Sequence, residues 1–196
     1  LAGADTIDGG AGQDSADYSA DTLAAGITGV TVNLATGAAT DGNGDTDTLT
    51  SIEIARGTGG NDILTGGATA LTGQAYELYG LAGNDTIASG GFDLYVEPGA
   101  GDDTITAGAG FDQVSYAEYT GASGAIINLA TGVVNDPYGG TDTLVGLFEG
   151  ARGTRNADTI TGNSLNNQFR GLAGNDSMDG GDGQDLLFGG QGDDIL

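Results

Sequence analysis

A nine-residue frame, G-G-x-G-x-D-x-U-x with U usually a large apolar residue, recurs in phase along this chain and limits what it can fold into. Five copies follow one another at the C-terminal side. They are Gly153–Thr161 (GTRNADTIT), Gly162–Arg170 (GNSLNNQFR), Gly171–Asp179 (GLAGNDSMD), Gly180–Phe188 (GGDGQDLLF) and Gly189–Leu196 (GGQGDDIL, one residue short). Earlier copies are Leu1–Asp8, which enters at the second position, Gly9–Asp17, Gly57–Thr65, Gly80–Ala88, Pro98–Thr106 and Ala107–Ser115. A degenerate copy surrounds Gly91, Asp93 and Tyr95. No stretch carries a 3.6-residue apolar period, so no substantial helix is expected. Glycine reaches backbone angles closed to other residues. Each copy therefore reads as a tight turn followed by a short x-U-x strand with one side chain pointing inward.

The U positions are Ile7, Ala16, Leu64, Ile87, Tyr95, Ile105, Val114, Ile160, Phe169, Met178, Leu187 and Leu196. One inward side chain per nine residues makes a thin core, too thin to offset the entropy of ordering nine backbone units. Charge adds to the difficulty. The chain of 196 residues carries 28 acidic side chains against four arginines, for a net charge of −24. Self-repulsion of that size opposes compaction, and the sign repels nucleic acid. The natural partners are cations, and the metal-free chain is expected to be expanded. With no cysteine, neither disulfides nor thiolate sites are available. No apolar stretch approaches the ~18 residues of a membrane span. No signal peptide is visible, and both ends fall inside repeat units, so the sequence reads as a piece of a longer protein.

The sixth position of the frame supplies the chemistry. It holds Asp5, Asp14, Asp62, Asp85, Asp93, Asp103, Asp112, Asp158, Asp176, Asp185 and Asp194, with Asn167 in one unit. Calcium takes six to eight hard oxygens at about 2.3–2.6 Å and tolerates irregular geometry. A glycine-rich turn can aim several carbonyls at one point while the aspartate adds charge. The turn glycines expected to take part are Gly10, Gly12, Gly83, Gly99, Gly101, Gly108, Gly110, Gly174, Gly181, Gly183, Gly190 and Gly192. One such turn would be ordinary loop chemistry, but a phased array without lysine to pair its acids points to metal. Catalysis is not expected within these residues. There is no histidine or cysteine, no G-x-S-x-G and no H-E-x-x-H, and acids committed to calcium are poor proton donors.

A longer repeat contains the short one. Residues 10–20 match 108–118, TVNLATGAAT (31–40) matches IINLATGVVN (126–135), and the segment from Thr46 to Gly66 matches that from Thr141 to Gly162. The first unit spans 1–98, with nonapeptides at 1–17 and 57–98 around an insert at 18–56. The second spans 99–196, with nonapeptides at 99–115, an insert at 116–152 and the array 153–196. The inserts are expected to be coils of the same solenoid with longer loops. The loop Asp41–Asp47 (DGNGDTD) resembles part of an EF-hand loop, but Thr46 stands where that loop needs glycine. It reads as a polar turn, with Asp47 and its equivalent Asp142 as the expected ligands and Asp41 dispensable. Arg56 and Arg152 occupy equivalent ARGT sites and are expected to pair with Glu53 and Glu149. Tyr18 and Tyr116 are expected to cap the core where array meets insert, and Tyr76, Tyr79, Tyr119 and Tyr138 to face solvent.

Over nearly all its length the chain resembles the RTX (repeats-in-toxin) proteins, whose hemolysin-type nonapeptides share this frame. The resemblance implies an all-β fold, a right-handed parallel β-roll or β-helix solenoid of nonapeptide repeats with two longer-loop inserts. It implies several Ca2+ ions between turns of units n and n+2. The pairs would be Asp158 with Asp176, Asp176 with Asp194, Asp85 with Asp103 and Asp93 with Asp112, with a weaker one at Asn167 and Asp185. It also implies an extracellular or cell-surface location, in a Gram-negative bacterium. The repeats in such proteins serve as scaffold, adhesive or fibre elements, or as folding and secretion domains attached to an enzyme or toxin. Calcium is the expected partner, with copies of the chain head-to-tail and cell-surface polysaccharide as further candidates, and no nucleic acid.

Overall fold

The computed structural model describes residues 3–69 and 74–196; Leu1, which opens the first frame, lies outside the described residues. Among these the chain is all-β. The described chain opens with β1 (Thr6–Asp8), β2 (Ser15–Asp17), β3 (Thr31–Asn33), β4 (Ala38–Thr40) and β5 (Thr46–Thr50). It continues with β6 (Ile54–Arg56), β7 (Ile63–Thr65), β8 (Tyr76–Ala82), β9 (Thr86–Ala88) and β10 (Leu94–Ala100). Next come β11 (Thr104–Thr106), β12 (Asp112–Ser115), β13 (Ile126–Asn128), β14 (Val133–Asn135) and β15 (Thr141–Val145). The chain closes with β16 (Gly150–Arg152), β17 (Thr159–Thr161), β18 (Gln168–Ala173), β19 (Ser177–Asp179) and β20 (Leu186–Gln191). Apart from the short pieces at each insert, successive strands alternate between two facing sheets, which is the winding of a parallel β-roll.

One sheet has eight strands, all parallel, in the order β2-β6-β8-β10-β12-β16-β18-β20. Its inward residues form one unbroken ladder: Ala16, Ala55, Leu78, Val96, Val114, Ala151, Phe169 and Leu187 stand on successive strands in register. The facing sheet has twelve strands, in the order β1-β5-β4-β3-β7-β9-β11-β15-β14-β13-β17-β19. Its ladder includes Leu64, Ile87 and Ile105 in one run, and Ile127, Ile160 and Met178 in another. Most of these side chains have lost all contact with water. Period-two burial (eBe, eBi) is what a three-residue strand with a single apolar centre produces.

The four extra strands come from the inserts, and here the fold departs from a plain coil with a long loop. In each insert the chain runs along the sheet, turns back and turns again, so that β4 is antiparallel to β3 and β5, and β14 to β13 and β15. The turn is written in NLATG. The Asn33 carbonyl accepts the N–H of Gly37, its side chain accepts the N–H of Thr36 at 3.0 Å, and Gly37 takes φ +69°. Asn128, Thr131 and Gly132 repeat this geometry. At about 4.8 Å per strand, the larger sheet is roughly 19 Å longer than its partner. Each insert also brings large side chains into the core, among them Tyr18, Leu49 and Ile52 in the first and Tyr116, Leu144 and Phe148 in the second.

Candidate metal sites

The turns between strands stack in two columns, one along each side of the roll. Along one column the main-chain N–H of each sixth-position residue donates to the carboxylate one coil further on. Asp62 donates to Asp85 at 2.7 Å, Asp85 to Asp103 at 2.7 Å and Asp103 to Asp142 at 3.0 Å. Asp158 donates to Asp176 at 2.9 Å and Asp176 to Asp194 at 3.0 Å, and Asp5 to Asp47 at 2.9 Å. In the other column Asp14 donates to Glu53, Asp112 to Glu149 and Asn167 to Asp185. Stacking therefore uses one oxygen of each accepting acid: Asp47, Asp85, Asp103, Asp142, Asp176 and Asp194 in the first column, and Glu53, Glu149 and Asp185 in the second.

The second oxygen separates two kinds of turn. In Asp5, Asp14, Asp85, Asp103, Asp112 and Asp176 one carboxylate oxygen is buried and has no hydrogen-bond partner. An orphaned buried charge is costly unless something else compensates it. Around several of these oxygens the chain leaves a hollow. A Cβ on Gly80 would overlap both the Asp85 Oδ2 and the Pro98 carbonyl oxygen, and one on Gly171 would overlap Asp176 Oδ2 and lie 2.7 Å from the Gly189 carbonyl oxygen. Carboxylate oxygen and carbonyl from the next coil thus converge where the first glycine of the frame has no side chain. The donor set is all oxygen, which fits a hard cation such as calcium. Among the described residues no three acidic side chains converge as a metal cluster, so main-chain carbonyls must complete each set.

In the other kind of turn the acid is already satisfied. Asp62 Oδ1 accepts the Val30 N–H at 2.6 Å and the Thr58 hydroxyl at 2.9 Å, while Oδ2 accepts the Thr58 N–H at 2.6 Å. Asp158 repeats this with Ala125 and Thr154 at 2.6, 2.9 and 2.7 Å. Both threonines belong to the ARGT motif and stand at the second position, where the consensus frame carries glycine. Asp47 and Asp142, which the sequence offered as insert ligands, have their second oxygens occupied by the hydroxyls of Tyr18 at 3.0 Å and Tyr116 at 2.5 Å. The two tyrosines do cap the core there. Asn167 turns its amide nitrogen onto the carbonyls of Phe148 and Glu149, at 3.4 and 3.3 Å. Asp185 and Asp194 are half-buried at the outer coils.

The degenerate unit takes a register one residue from the one expected. Leu94 pairs with Asp112 and Val96 with Val114, so Val96 holds the U position and Tyr95 points outward. Two apolar side chains with period two bury more than one tyrosine. Asp93 is thereby exposed, outside the stack, and accepts the Phe111 N–H at 2.9 Å. Gly10, Gly12, Gly83, Gly99, Gly101, Gly110, Gly174, Gly181, Gly183, Gly190 and Gly192 all take positive φ, as the turn requires. Gly108 does not; its N–H donates to Asp112 at 2.8 Å. Leu81 and Leu172 occupy the second position of GLAGND and are forced to φ +80° and +82°.

Arg56 and Arg152 lie against the outer face of the eight-stranded sheet and not against Glu53 and Glu149. Arg56 sits 3.9 Å over the Tyr79 ring and 3.5 Å from Glu118, and Arg152 lies 5.8 Å over the Tyr95 ring. The two glutamates are used as stack acceptors instead. Tyr76 and Tyr79 are buried, against expectation, whereas Tyr119 and Tyr138 meet edge to face at 4.7 Å.

Electrostatics shows what the columns need. Burial pushes the Asp85 carboxyl up to about 8 and Asp142 to about 7. Asp103, Asp112 and Asp176 rise to about 6, again chiefly by burial, with neighbouring acids adding to it. Without a cation Asp85 and Asp142 hold protons near neutrality, and Asp103, Asp112 and Asp176 take them up in mildly acidic solution.

Stacked oxygen-only turns on a parallel β-roll define a calcium-binding solenoid. The sequence pattern of the RTX calcium-binding nonapeptide repeat, in four copies, matches residues 1–26, 50–70, 77–93, 99–115 and 161–196, well over half the chain. This chain belongs to that family, whose repeats bind calcium ions. No curated protein matches it.

Proposed function

We propose that this chain is a calcium-folded structural element of a secreted bacterial protein, serving outside the cell as scaffold, adhesive or fibre-forming surface. The observation that carries this is the set of buried, unpartnered carboxylate oxygens running down both columns. The calcium ligands proposed are Asp5, Asp14, Asp85, Asp103, Asp112 and Asp176, with Asp185 and Asp194 at the outer coils and the carbonyls of the frame glycines. Calcium there supplies positive charge that the chain, with four arginines, lacks. Its low level inside cells and its millimolar level outside would couple folding to export. As a scaffold, the roll extends through any coil stacked on its edge strands, from the same polypeptide or a second copy. An adhesive role is supported by a groove of about 480 Å3 lined by Gln13, Glu77, Tyr79, Tyr95 and Arg152, a chemistry that suits sugar hydroxyls and rings. The same coils would equally serve as the folding domain of an exported enzyme or toxin, because the calcium argument is independent of what is attached.

Circular dichroism during calcium titration tests the reading. A passage from coil to β is expected at sub-millimolar to millimolar calcium, the range of extracellular modules, with magnesium a poor substitute because it demands octahedral geometry. Full β content in excess chelator at neutral pH would contradict it.

A further inference from the structure

Two buried carboxylates outside the nonapeptides are left unexplained. Asp41 and Asp136 hold equivalent places in the two inserts, each in the turn that leads from the middle to the last strand of the antiparallel meander. In each, one oxygen is tied down by the turn itself. Asp41 Oδ1 accepts the N–H groups of Asn43 and Asp45, both at 2.9 Å, and Asp136 Oδ1 accepts those of Tyr138 and Gly139 at 2.6 and 2.8 Å. In each, Oδ2 is buried with no partner, in side chains only 0% and 6% exposed.

Both turns sit on a nonapeptide turn whose own acid is in the same condition. In the second insert, Asp103 and Thr141 donate their N–H groups to Asp142 and Asp102 across the junction. Asp103 Oδ2 is buried and unpartnered. A Cβ on Gly140 would stand 2.5 Å from Asp136 Oδ2 and overlap the Gly101 carbonyl oxygen, so both oxygens face the space that glycine leaves open. In the first insert, Gly3 and Asp5 donate to Asp45 and Asp47, and Asp5 Oδ2 is again orphaned. The third acid at each junction is ruled out as a free ligand, because Tyr116 and Tyr18 occupy the second oxygens of Asp142 and Asp47.

We propose that each insert junction is a calcium site of its own, formed by Asp103, Asp136 and the Gly101 carbonyl in the second unit and by Asp5 and Asp41 in the first. Asp41 and Asp136 lie outside every segment that matches the family repeat. Such an ion ties the antiparallel meander to the parallel array where the sheet changes direction. The inference rests on calcium being the cation of the solenoid, and the test separates the two.

Calcium bound per chain is measured by equilibrium dialysis on the full chain at saturating calcium. Asp41→Asn and Asp136→Asn keep the turn-forming oxygen and should each bind one ion fewer than the parent, and the double variant two fewer. Asp182→Asn, an exposed array residue, should bind as many as the parent. A folded double variant that binds the parent's number overturns the proposal. Should the double variant lose its β structure, anomalous diffraction from calcium-loaded parent crystals decides. A peak within about 2.3–2.6 Å of Asp103 Oδ2 and Asp136 Oδ2 supports the site, and an occupied array with no peak there overturns it. Calcium absent from array and junctions alike would overturn the function proposed above as well.

Discussion

Asp158 and Asp176 stand one coil apart in the same column, with the same main-chain contact between them, yet they solve the same problem differently. Asp158 is closed by Thr154, whose hydroxyl and N–H leave neither of its oxygens free. Asp176 has Leu172 in the place of Thr154, with no side-chain donor, and keeps one buried oxygen without a partner. The lesson is that a coil can be closed by a side-chain donor or left open to a cation. Threonine at Thr58 and Thr154 and tyrosine at Tyr18 and Tyr116 mark the closed coils, and these flank the inserts. The regular coils between them are the open ones. The roll thus closes some acids with side-chain donors beside its inserts and leaves buried carboxylate oxygens open elsewhere, in the regular coils and at Asp41 and Asp136.

Calcium removal should break this comparison most severely. The open coils lose their compensating charge, and chelation at pH 8 should abolish most β signal in circular dichroism, whereas a chain held by its closed coils alone would keep it. Acid should partly replace the metal. Asp85, with a folded value of about 8 against an ordinary 3.8, binds more protons folded than unfolded throughout that interval. Stability of the metal-free chain therefore falls as pH rises from about 4 to 8. Metal-free samples should show more β structure at pH 5 than at pH 8, and calcium uptake should release protons. An opposite pH trend would mean that the column acids are not buried in the metal-free fold.

Single substitutions sharpen the contrast. Asp176→Asn should lower both the bound calcium and the calcium-loaded Tm, while Asp158→Asn should leave the calcium count intact and disturb only the threonine contacts. Equal calcium loss from both would erase the distinction between open and closed coils. Gly171→Ala places a methyl on Asp176 Oδ2, so calcium affinity should drop while Gly59→Ala, with nothing within 4 Å, should not affect it. Thr154→Ala removes the hydroxyl that donates to Asp158 and accepts the Asn156 N–H, and should cost about 1–3 kcal/mol in calcium-loaded stability. Smallest of all, Leu172→Gly relieves a left-handed leucine worth about 1–2 kcal/mol. It gives back about 0.5–1 kcal/mol in unfolded-chain entropy, so denaturant midpoints should move little, and upward.

The spacing of glycine, aspartate and U residues alone determined the turn-and-strand coil, the inward ladder and the oxygen-only columns, because each follows from local backbone freedom and a fixed nine-residue step. Where the frame held, as at Asp85, Asp103 and Asp176, sequence and register agree. The rest was settled by contacts distant in sequence. Asp47 and Asp41 look alike in DGNGDTD, and only the arrival of Tyr18, 29 residues away, occupies one and leaves the other open. Asp93 left its expected place because Leu94 and Val96 together bury more than Tyr95 could, a choice made by the neighbouring strands. The inserts became antiparallel meanders because NLATG closes a hairpin that the sheet then had to absorb, which no nine-residue frame could announce. A repeat specifies its own coil through backbone geometry, but which oxygens remain for a metal depends on what the next coil brings against them.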